Sequence, residues 1–156
     1  MKEIELTYGQ VAVVDDRDYE ELSEYKWHAR IQSYTGKYRA KRGGKPKEVD
    51  MARWIMDCPP HLEVDHINGD LLDNRRRNLR VCTHSENMRN RKLQRNNTSG
   101  YRGVSMVYPS RRFTAQIYDN RRRIHLGTFD TAEDAARAYN AAAMQHYGEF
   151  ARLNEV

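Results

Sequence analysis

Residues 62–87 read LEVDHINGDLLDNRRRNLRVCTHSEN, and few local folds accommodate that run. Leu62 and Val64 alternate with polar neighbours as far as His66, the period of a short half-buried strand. Asn78-Leu79-Arg80-Val81-Cys82 repeats the alternation, so a second strand pairs with the first across the polar loop 68–77. Thr83 and Glu86 stand three apart as a capping box, which starts a helix and puts Asn87 near its first turn. Strand, loop, strand and helix then bring Asp65, His66 and Asn87 within reach of one another. A carboxylate beside a histidine, with a carboxamide oxygen opposite, can hold one hard divalent cation and leave an imidazole to act as a base. The plainer alternative is a hydrogen-bonded structural histidine in a polar loop.

Asp65-His66, Asn78 and Asn87 in this order, with the capping box behind them, resemble the HNH (ββα-metal) nuclease motif over residues 62–95. The variant is the one with Asn at the third position. The resemblance implies that His66 is the general base acting on water and that Asp65 and Asn87 are metal ligands. Asn78 would brace the loop and orient the imidazole. One divalent ion is implied, Mg²⁺ or Mn²⁺. Leu72-Asp73-Asn74-Arg75 also matches the family's loop between the strands.

Composition limits the size of any core. Of 156 residues only 38% are hydrophobic, and mean hydropathy is -0.98, so several small modules are expected rather than one large one. No apolar run approaches a membrane span, the first residues open no signal peptide, and no membrane role is expected. Cys58 and Cys82 lack the pairing of a zinc site and are expected to be reduced, buried thiols. A structural zinc module would need a four-ligand set that the sequence does not offer.

The net charge of +5 favours a polyanionic partner, and it is unevenly placed. Residues 30–47 hold seven basic residues and no acidic one; residues 75–95 hold eight against Glu86. Residues 98–125 carry six arginines against Asp119, whereas residues 126–156 are net acidic. A merely solubilising surface would mix the signs. Separate basic blocks suit several phosphate contacts along one duplex, with Arg39, Lys41 and Arg42 in the first block and Arg75, Arg76 and Arg77 in the second.

Residues 1–57 are expected to form a β-rich accessory region. It would hold a strand at 11–14, a short helix near Tyr19, a hairpin over 27–42 turning at Thr35-Gly36, and a helical turn over 51–56. The arrangement resembles the N-terminal part of many phage and bacterial HNH proteins, except that Ala52 stands where the family usually has histidine.

Residues 94–99 read as a linker. Beyond it, Phe113, Ala115 and Ile117 alternate with Arg112, Thr114, Gln116 and Tyr118, and a turn follows at Asp119-Asn120. Ile124 and Leu126 would point inward and Arg123 and His125 outward, with residues 101–106 as a third strand. Thr131 caps a helix whose Ala135, Ala138, Tyr139 and Ala142 recur at helical spacing, and Gly148 ends it. The runs Tyr101-Arg102-Gly103-Val104, Leu126-Gly127-Thr128-Phe129 and Ala138-Tyr139-Asn140 resemble the ethylene-response-factor (Apetala-type) DNA-binding domain. That family lays a three-stranded sheet in the major groove, which implies DNA contacts from Arg102, Gln116, Tyr118, Arg123 and His125, with Arg112 close by. Ser105 and His125 replace an arginine and a tryptophan of the plant pattern, so the plant target is not inherited.

The expectation is therefore an α+β chain in three parts: accessory region 1–57, nuclease motif 58–95 and DNA-binding module 96–156. It would be a metal-dependent homing endonuclease acting as a monomer on double-stranded DNA in the cytoplasm of a bacterial or phage-infected cell. The rival is a non-catalytic DNA-binding regulator that keeps the motif as a brace.

Overall fold

A computed structural model describes residues 1–33, 35–43, 48–90, 93, 96–119 and 122–156. The fold is α+β, built from small antiparallel sheets and four helices, and it divides into two compact units, 1–87 and 88–156. No helix among the described residues is long and apolar enough to cross a membrane.

The first unit opens with strand β1 (Lys2–Glu5), paired antiparallel with β2 (Val11–Val14). Sequence periodicity points only to β2. Helix α1 (Asp16–Ser23) buries Leu22, and the Trp27 indole N–H donates to the Leu22 carbonyl at 2.8 Å. Strands β3 (His28–Ile31) and β4 (Tyr38–Arg42) form the expected hairpin, and the short β5 (Val49–Asp50) adds to β4. Tyr34 and residues 44–47 lie outside the described residues. Asp50 caps α2 (Met51–Ile55), accepting from the Arg53 N–H at 3.3 Å.

Strands β6 (Glu63–His66) and β7 (Leu79–Cys82) then pair, and α3 (His84–Arg89) follows. One core joins Ile4, Val14, Trp27, Met51, Val64 and Leu79, so the accessory segment and the β6–β7 segment bury their apolar faces together. Ala52 sits inside that core, fully packed. Of the two thiols, Cys82 is buried, and burial pushes its pKa up to about 11; Cys58 is only partly buried, at a corner after α2.

In the second unit β8 (Val104–Val107), β9 (Arg112–Asp119) and β10 (Arg122–Phe129) form a sheet with β9 in the centre. The first of these strands starts later than periodicity suggests. Both backbone groups of Arg102 are taken by the Asn154 side chain, at 2.7 and 3.1 Å, rather than by a strand neighbour. Gly103 then turns the chain with φ +70°, its missing Cβ replaced by the Tyr139 ring. A bulge between His125 and Gly127 re-phases β10, so Leu126 and Phe129 both reach the core. Helix α4 (Ala132–Tyr147) starts at a Thr131 cap and lays Ala135, Ala136, Ala142 and Ala143 on the sheet; their small side chains allow close approach. Residues 94–95 of the linker and Asn120 of the turn lie outside the described residues.

Candidate active site

The site is assembled at the β6–β7 hairpin and the start of α3. Thr83 and Glu86 form the capping box: Glu86 accepts from the Thr83 N–H at 2.8 Å, and Thr83 Oγ1 accepts from the Glu86 N–H at 3.3 Å. This fixes the direction of α3 and turns Asn87 back toward β6, where its amide donates to Glu63. Glu63 and Asp65 are two apart on one strand and so share a face, which places Asn87 on the Asp65 side. The Asn87 carboxamide oxygen, a hard donor, keeps no hydrogen bond among the described residues. The Asn87 hydrogen bond, followed by the His84 contact at 2.7 Å, holds the Glu63 carboxyl below its usual range.

Asp65 is 5% exposed and carries an ion pair with Arg80, its cross-strand partner, at 2.7 and 2.9 Å. His66 is 2% exposed, and its Nε2 lies 3.2 Å from Asn74 Oδ1. Burial, and after it the charge of Arg39, keep the imidazole below its ordinary pKa, so it is neutral at pH 7.

Asn78 is 6% exposed and braces the loop from inside. Its Oδ1 accepts from the Asn68 N–H at 3.0 Å and its Nδ2 donates to the Asp73 carbonyl at 2.7 Å. The imidazole Nε2–H donates to Asn74 Oδ1, so Asn74 rather than Asn78 is the carboxamide on the ring. The loop is also held from outside. Strand β2 bonds both Leu72 and Asn74 through the Val13 backbone, at 2.9 and 2.8 Å, and Asp15 accepts from the Arg76 N–H at 2.9 Å. The accessory segment thus positions the residue that touches His66.

The basic residues have partners that sequence reasoning did not identify. Arg75 forks onto Asp73, and Arg76 onto Asp18 of α1. Arg77 is exposed and makes no ion pair among the described residues. In the hairpin, Lys41 pairs with Glu48 at 2.7 Å and Arg39 with Asp50 at 3.1 Å, while Arg42 lies over the rings of Tyr25 and Trp54. Asp18, Glu48 and Asp50 all lie outside the basic runs, so counting charge along the chain misses them. Glu63 is the residue beside the site to which the sequence reading gave no role. Alternation from Asp65 is the one signal that points to Glu63.

In the second unit, register puts Arg112, Gln116, Tyr118, Arg123 and His125 on the outer face of the sheet. Arg102 lines one cavity with Gln116 and Tyr118, partly buried near Tyr139 and Arg152; burial pulls its pKa down.

Asp65 and Asn87, with Glu63 adjacent, are the residues that could hold a divalent ion, and their hard oxygens suit Mg²⁺ or Mn²⁺. No group of three or more His, Cys, Asp or Glu that could hold a metal ion exists among the described residues.

Residues 57–89 match the family described as HNH endonuclease. That family-level similarity is to nucleases. Over 154 residues the chain is 29% identical to an uncharacterized HNH endonuclease of Acanthamoeba polyphaga mimivirus, covering 95% of this chain and 76% of the viral protein. The C-terminal region is similar to plant proteins. An AP2-like ethylene-responsive transcription factor of Arabidopsis thaliana is 40% identical over 68 residues, or 44% of this chain. Ethylene-responsive transcription factor 3 of Nicotiana tabacum is 52% identical over 56 residues, or 35% of this chain. The chain spans only 14% and 24% of those two plant proteins.

Proposed function

We propose that this protein is a metal-dependent DNA endonuclease of the homing type, which hydrolyses phosphodiester bonds in double-stranded DNA. The observation that carries the reading is the ββα unit itself: Asp65 and Asn87 on one side of β6, and a neutral His66 held at its end by a braced loop. The match of residues 57–89 to HNH endonucleases supports it.

In this reading His66 accepts a proton from water as the water oxygen bonds to phosphorus, and the bond to the 3′ oxygen breaks. Asp65 and Asn87 would hold a divalent ion, which when bound would supply Lewis-acid charge stabilisation at the scissile phosphate. Arg39, held by Asp50 at 3.1 Å and close enough for its charge to lower the His66 pKa, would turn the exposed part of its guanidinium to a phosphate oxygen beside the base. Arg77 is the loop cation best placed for a neighbouring phosphate. Site recognition falls to the outer face of the C-terminal sheet. The protein acts as a monomer, in the cytoplasm of a bacterial or phage-infected cell.

A second reading is a non-catalytic DNA-binding regulator, favoured by the Arg80 ion pair on Asp65 and the burial of His66. Plasmid nicking separates the two. Mg²⁺-dependent nicking that stops in EDTA, and that falls by about 10²–10⁴ in His66→Ala with DNA affinity kept, is the expected result. Binding without cleavage in Mg²⁺ and in Mn²⁺ would establish the regulator instead.

A further inference from the structure

The outer face of the C-terminal sheet has charged ends and a neutral middle. At one end Arg112 is drawn along the surface: its Nε donates to Asp130 at 2.8 Å and its Nη2 to the Thr128 carbonyl at 3.3 Å. At the other end Arg123 is exposed, in register with Tyr118. Between them lie Ser105, Thr114, Gln116, His125 and Thr128. Charged ends suit phosphates on either side of a groove, which leaves the middle to meet base edges.

The middle residues are not equally available. Thr114 Oγ1 donates to the Gly127 carbonyl at 3.3 Å, so it accepts from His125 Nδ1, 3.1 Å away. The Thr114 hydroxyl and His125 Nδ1 are therefore committed to each other, which leaves the exposed His125 a single ring nitrogen, Nε2. Gln116 is on the central strand, and its backbone N–H is fixed on the Gly103 carbonyl at 2.8 Å. Its carboxamide makes no hydrogen bond among the described residues. It is the one uncommitted side chain there with a donor and an acceptor side by side. That pair complements adenine N6–H and N7, whereas guanine offers two acceptors and calls for a guanidinium.

Resting on the reading of this face as the DNA interface, we propose that Gln116 reads an adenine in the major groove, so that the recognised site contains an A·T pair at its centre.

The test is selection of duplexes from a randomised library by the full-length protein in EDTA, followed by anisotropy titrations. The wild type should prefer A at one central position by roughly 5- to 150-fold over G, the range for a bidentate base contact. Replacing that A by 7-deazaadenine, which lacks N7, should weaken wild-type binding without altering the protein. Gln116→Glu, nearly isosteric, should lose the preference for A, and Gln116→Arg should move it to G. If 7-deazaadenine is tolerated everywhere, or if Gln116→Glu keeps the same preference, the adenine assignment is overturned. Arg123→Ala separates the two levels. Weaker binding in Arg123→Ala together with an unaltered preference in Gln116→Glu overturns only the adenine assignment. Unchanged affinity and preference in both variants would mean that the sheet is not the interface, whatever the cleavage assay gives.

Discussion

Asn78→Ala is the most direct test of how the site loop is held. Asn78 is almost fully buried, and its carboxamide satisfies two backbone groups of the same loop, the Asn68 N–H at 3.0 Å and the Asp73 carbonyl at 2.7 Å. Truncation leaves the buried Asp73 carbonyl without a partner, whereas Asn68 is exposed and its N–H can turn to water. A buried unsatisfied group costs about 1–3 kcal/mol, so the variant should lose about that much. The two tryptophans, Trp27 and Trp54, both lie in the first unit, so urea unfolding followed by tryptophan fluorescence reports that unit alone. Activity should fall too, because the loop carries Asn74 onto His66. Asn78→Asp keeps the acceptor but sets a carboxylate against the Asp73 carbonyl, and it should be no better than alanine. A loss of less than about 1 kcal/mol in Asn78→Ala would mean that β2 and Asp15, not Asn78, hold the loop.

Gly103→Ala would place a methyl 2.1 Å from the Tyr139 ring at φ +70°, so the second unit should melt several degrees lower by calorimetry while the tryptophan-detected transition stays put. Arg75 holds the Asp73 carboxyl below its model-peptide value of 3.8. A depressed folded-state pKa stabilises above that value and is lost as pH falls through the lower one, so the wild-type urea midpoint should drop faster than that of Asp73→Asn below about pH 4. Arg80→Gln removes a cation from Asp65 and should tighten Mn²⁺ binding measured by calorimetric titration; weaker binding would show that Arg80 helps to build the ion's site.

Most of the local structure is legible along the chain: the two strands and capping box around the motif, the β9 alternation and the Thr131 cap of α4. These follow from contacts within four residues or from a period of two, and no distant partner alters them. Only the tertiary structure decided where the charges go. Arg76 meets Asp18, Arg80 meets Asp65 and Arg39 meets Asp50 because the chain folds back, so the basic runs of the sequence became partly internal ion pairs. It also decided that Asn74 touches His66, since that contact depends on β2 clamping the loop through backbone bonds that have no side-chain signature. The β10 bulge is of the same kind: one extra residue at Leu126 is favourable only because the packing of α4 gives Leu126 and Phe129 a common core.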